Sequence, residues 1–93
     1  MKIGIFEYKA RKGLIRATIS LYDDTIEVKI TGDFMVFPED TIWELEKNLK
    51  GMKADEQLIS KRIEETLSNA TMIGCTVDDF KRTIIGALKE VIP

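Results

Sequence analysis

Leu14-Ile15-Arg16-Ala17-Thr18-Ile19-Ser20-Leu21-Tyr22 alternates along its whole length. Ile15, Ala17, Ile19 and Leu21 share one parity and Arg16, Thr18 and Ser20 the other, the pattern of an antiparallel strand buried on one face only. Asp23-Asp24 is a tight turn, after which Ile26, Val28 and Ile30 alternate with Glu27, Lys29 and Thr31. The two segments read as a hairpin. Upstream, Ile3 and Ile5 fall on one parity and Phe6 and Tyr8 on the other, so a first strand is expected to carry a bulge or to change its covered face. Lys12-Gly13 supplies the turn between first and second strands.

Downstream the hairpin runs into Ile30-Thr31-Gly32-Asp33-Phe34-Met35-Val36-Phe37-Pro38, where a polar connection is expected and an apolar one follows. Gly32 can reach backbone angles closed to other residues, and the Asp33 side chain can hold the turn by bonding nearby amides. Phe34, Met35, Val36 and Phe37 either fold under the domain as a second small core or stay partly exposed to meet another protein. After Pro38 the period changes from two to about 3.6. Ile42, Leu45 and Leu49 make the stripe of a first helix, with Thr41 and Glu44 as a capping box, Asp40 as the alternative cap and Gly51 near its end. A second helix is expected from Asp55 to about Ser68-Asn69, burying Ile59, Ile63 and Leu67. A third starts at Thr76, where Asp79 completes a capping box, and buries Phe80, Ile84, Leu88 and Val91. Between them, Met72-Ile73 can pair briefly as an extended segment. Three strands followed by three helices, without alternation, predict a single α+β domain over residues 1–93 in which helices cover one face of an antiparallel sheet.

The chain has 93 residues, of which 44% are apolar and 32% charged. A domain of this size buries only about 60–65% of its unfolded surface, so its core is modest. No apolar run is long enough to span a bilayer, and Glu7 interrupts the N-terminal segment before a signal-like region can form, which sets a cytoplasmic location as the expectation. Fourteen basic and sixteen acidic residues give a net charge of −2, with no general attraction to nucleic acid. Lys9, Arg11, Lys12 and Arg16 nevertheless cluster near the N-terminus, either as a solvated hairpin tip or as a contact for an acidic or phosphate-bearing partner. Cys75 is the only cysteine and histidine is absent. Cysteine-histidine zinc sites, Ser-His-Asp triads and imidazole proton shuttles are thereby excluded.

Lys12-Gly13-Leu14-Ile15-Arg16, Ile30-Thr31-Gly32-Asp33-Phe34, Pro38, Leu45-Glu46 and Leu49-Lys50-Gly51 stand in an order that resembles the C-terminal accessory domain of lipoate-protein ligases. The resemblance runs from about residue 9 to residue 51, with an echo in Ile73-Gly74 and Val77-Asp78-Asp79-Phe80. It implies the stand-alone form of that domain: a noncatalytic accessory subunit that forms a heterodimer with a large catalytic subunit. ATP, magnesium and lipoate would belong to the complex, which forms lipoyl-adenylate and passes the lipoyl group to a lysine of an acceptor protein. The ligase's catalytic lysine and its Arg-Arg and Gly-rich signatures are missing here, so no catalytic residue, bound cofactor or metal ligand is assigned to this chain.

Under this resemblance Gly32, Asp33, Phe34, Met35, Phe37 and Trp43 are the candidate partner interface. Phe34 has the alternative of packing internally, and Trp43, about 100° round the helix from Ile42, that of covering a core margin. Lys12 and Arg16 are candidate basic contacts, with ordinary exposed charge as the alternative. The order of strands and helices is also similar to the fold of iron-sulfur scaffold and sulfur-acceptor proteins. A single thiol without histidine cannot cradle a cluster, which leaves a sulfur-acceptor protein using Cys75 as the rival function. Base stacking on Phe6 or Tyr8 would be a third, but no aromatic-rich ribonucleoprotein signature accompanies them.

Overall fold

A computed structural model describes all residues, Met1–Pro93. Strands β1 (Lys2–Ala10), β2 (Gly13–Tyr22) and β3 (Thr25–Gly32) form an antiparallel sheet in the order β1-β2-β3. A short strand β4 (Met35–Phe37) leads through Pro38 into helix α1 (Thr41–Leu49), followed by α2 (Glu56–Leu67), β5 (Thr71–Ile73) and α3 (Val77–Lys89). β4 and β5 pair with each other as a separate two-stranded sheet. The fold is thus α+β, with three helices against a three-stranded antiparallel sheet.

The inner face of the sheet follows from the alternation. Ile15, Ala17 and Ile19 of β2 and Ile26, Val28 and Ile30 of β3 are buried in one cluster with Leu45 and Leu49 of α1, Ile59, Ile63 and Leu67 of α2, and Phe80, Ile84 and Leu88 of α3. Each helix supplies a stripe of residues three or four apart, so three amphipathic faces converge on one apolar sheet face. The α1–α2 pair is also tied by polar bonds: Asn48 Nδ2 donates to Thr66 Oγ1 at 3.0 Å, and Arg62 Nη1 donates to the Asn48 carbonyl at 2.9 Å near the end of α1. The latter satisfies a carbonyl that the helix leaves unpaired.

Several local expectations change. β1 carries no bulge: its register against β2 runs unbroken from Lys2 opposite Leu21 to Ala10 opposite Gly13. Gly4, Phe6, Tyr8 and Ala10 face inward throughout, and Ile3 and Ile5 simply lie on the open face. Gly4 takes a core position because α3 comes so close that a side chain there would meet the Ala87 carbonyl. The first hairpin turn is made by Arg11-Lys12, with Gly13 already the first residue of β2.

The capping box expected at α1 is absent. Asp40 is the N-cap but its side chain bonds no helix amide, and Thr41 is buried, its N–H donating to the Pro38 carbonyl at 3.0 Å. Entry into this helix is set by the Pro38 turn in place of a side-chain cap. The other two starts are as expected: Asp55 accepts from the Leu58 N–H at 3.1 Å, and Thr76 and Asp79 exchange both bonds of a capping box at 3.1 and 2.9 Å.

Candidate functional site

The Gly32-Asp33 turn is fixed by the backbone of the preceding hairpin. Gly32 adopts φ +141°, and a Cβ on it would strike the Leu14 carbonyl; Gly13 faces the Asp33 carbonyl in the same way at φ +114°. Only glycine permits two chains to pass so closely at such angles. The Asp33 carboxylate does not hold the turn; the bond is made by its N–H, which donates to the Leu14 carbonyl at 2.8 Å. The turn therefore delivers the following apolar run to one defined place on the domain.

Strand alternation then divides that run. Phe34 and Val36 turn inward, and the Phe34 ring meets the fully buried Phe80 edge-on with centroids 5.2 Å apart and planes at 84°. Such edge-to-face pairs add to the burial energy of the rings themselves. Met35 and Phe37 point outward. Met35 stands directly opposite Ile73 on β5, and the two are 53% and 46% exposed. Phe37 sits on the same face. Met35, Phe37 and Ile73 thus make an apolar surface with Val36 and Met72 sealing it to the core from below. Ile73 was read from sequence only as part of an extended segment. Its membership of this surface depends on a pairing across some 38 residues that no local pattern announces.

The basic hairpin tip adjoins the same surface. The Lys12 N–H donates to the Gly74 carbonyl at 2.8 Å, and the Lys12 stem lies against Gly74 where a side chain would otherwise stand. Lys12 has no carboxylate within ion-pair distance, whereas Arg16 lies out on the sheet and pairs with Glu7 at 3.4 Å. Trp43 is elsewhere again, 61% exposed on α1 with the Lys47 Nζ 5.5 Å above its ring. The sequence candidates are therefore in two places: Met35, Phe37 and Lys12 around β4–β5, and Trp43 beside the open face of the large sheet.

Cys75 follows β5 and is buried, its Sγ–H directed at the Met35 carbonyl at 3.9 Å. Burial pushes its thiol above the ordinary value, and the neighbouring Asp79 carboxylate adds to the effect; the bond to Met35 opposes both only in part. A buried neutral thiol is a poor nucleophile. The sulfur-acceptor reading of Cys75 is not favoured.

The family model described as bacterial lipoate protein ligase C-terminus matches residues 6–84. The chain belongs to the lipoate protein ligase C-terminal family. Lipoate-protein ligase A subunit 2 of Thermoplasma acidophilum is 46% identical to this chain over 50 residues. That match spans 53% of this chain and 53% of the relative, about half the length of each. A solved structure from the same organism superposes with a TM-score of 0.80 at 33% identity, covering 88% of this chain and 93% of the other. It comes from a structural analysis of an archaeal lipoylation system comprising a bi-partite lipoate protein ligase and its lipoyl domain. The family match takes in both β4 and β5, so the Met35–Ile73 surface lies within the family domain.

Proposed function

We propose that this chain is the noncatalytic accessory subunit of a two-part lipoate-protein ligase. It would act in the cytoplasm as a heterodimer with a larger catalytic subunit, which binds ATP, magnesium and lipoate, forms lipoyl-adenylate and transfers the lipoyl group to lysine. The reading is supported by the family match together with the structural likeness, over nearly the whole domain, to a chain from the structural analysis of a bi-partite ligase and its lipoyl domain. The chain's contribution would be conformational: it helps to assemble or close the adenylation site through contact, without placing a reacting group there.

The β4–β5 surface suits that role. Met35, Phe37 and Ile73 project from strands whose other face is anchored in the core, so the surface is already rigid before contact and loses little freedom on binding. Lys12 at its border fits a carboxylate on the partner. Titration of the catalytic subunit with the purified chain tests the assignment. Met35→Glu combined with Ile73→Glu should weaken the complex at least tenfold with the fold intact by circular dichroism, and Lys12→Glu should weaken it less. Unaltered affinity in the double variant would move the interface elsewhere.

A further inference from the structure

The helices cover one face of the β1-β2-β3 sheet and leave the other open. Two rows cross the open face: Ile5, Thr18 and Lys29 are register neighbours, as are Ile3, Ser20 and Glu27. Ile3 is 55% exposed and Ile5 41%. At the opposite margin Trp43 and Lys47 rise from α1 and Lys50 follows its end, and between them and the strands lies an open cavity of about 540 Å³ lined by Thr18 and Ser20. A floor of small side chains is therefore bounded by an isoleucine ridge on one side and an indole on the other.

We infer that this trough is a docking site for an acidic amphipathic helix of a partner protein. Size is the first reason. Ile5 and Lys29 are separated by two strand spacings, about 10 Å, and a helix with its side chains is about 10–12 Å across. A small ligand would contact the cavity floor but leave the isoleucine ridge uncovered; a helix lying along the strands spans them from Ile5 to Lys29 and places apolar residues on Ile3 and Ile5, with Trp43 at its border.

Charge is the second reason. Lys29, Lys47 and Lys50 border the trough against two carboxylates, Glu27, paired with Lys50 at 3.4 Å, and Glu46, turned to the Ile30 N–H at 2.7 Å, so the trough keeps a net positive charge. Lys29 and Lys47 have no carboxylate partner within ion-pair distance, leaving two ammonium groups to meet acidic residues on the flank of the incoming helix. This surface shares no residue with the Met35–Ile73 surface, and its chemistry is independent of the ligase reading.

Trp43 is the only tryptophan, so its fluorescence reports the site directly. The probe is an 18-residue tryptophan-free helical peptide with leucines along one face and glutamates on its flanks, compared with the same peptide carrying lysines for glutamates. The acidic peptide should shift or quench Trp43 emission saturably, and Lys29→Glu with Lys47→Glu should weaken its binding at least tenfold. Lys12→Glu, on the other surface, should leave it unchanged. The inference is overturned by any of three results: no saturable response to the acidic peptide, equal binding of the basic peptide, or sedimentation showing that the chain self-associates with Trp43 already shielded.

Discussion

Cys75 and Phe80 sit four and nine residues after Thr71, at the point where β5 hands over to α3, and both are held by packing. The Cys75 thiol stays protonated in the fold at pH values where the unfolded chain releases its proton. Below the ordinary thiol value of 9.0 its contribution to stability is fully present. Above it the contribution falls, because the unfolded state then binds fewer protons than the folded one. Denaturant midpoints measured across that range should decline more steeply in the native chain than in Cys75→Ala, and alkylation of Cys75 under native conditions should be slow. Phe80→Ala should cost about 3–5 kcal/mol. Phe34→Ala should also destabilise the fold through the lost edge-on contact with Phe80, a loss that thermal unfolding would register in the absence of any partner.

Among the elements, β2, β3 and two of the helix starts were legible in the sequence because their causes are local. Parity of Ile15, Ala17 and Ile19 fixes the buried face of β2, and Thr76 with Asp79 announces α3. What could not be read depends on elements distant in sequence. Ile3 and Ile5 suggested a bulge because apolar residues are expected inward, yet α3 approaches Gly4 too closely for a side chain and the isoleucines remain outside. The pairing of β4 with β5 was equally hidden, since each strand is only three residues long. The free edges of the main sheet follow the same principle. Glu46 accepts the Ile30 N–H on β3 at 2.7 Å, and Glu90 accepts the Ile5 N–H on β1 at 3.1 Å. Both carboxylates blunt edges that could otherwise pair with another chain. Glu46→Ala should cost about 1–3 kcal/mol by leaving that amide without its partner. Gly32→Ala should cost more than about 1 kcal/mol, because both its angle and the nearby Leu14 carbonyl oppose a side chain. Urea titration measures each.

At the scale of the whole molecule, the domain presents two surfaces built by different means. The β4–β5 surface exists because alternation splits a four-residue apolar run, sending Phe34 and Val36 to the core and Met35 and Phe37 to the outside. The sequence showed that run to be out of place but could not show that Ile73 completes it. The trough beside Trp43 exists because all three helices lie to one side of the sheet. The family to which the chain belongs is that of a ligase's C-terminal part. The proposed role is therefore one of contact, and a partner that binds the folded chain should also raise its melting temperature by mass action. Reconstituted lipoyl-adenylate formation tests that role most directly, with the catalytic subunit alone, this chain alone, and the two together. Activity should be absent with this chain alone and at least tenfold higher with both subunits than with the catalytic subunit alone; a catalytic subunit that forms adenylate equally well without this chain would contradict the account.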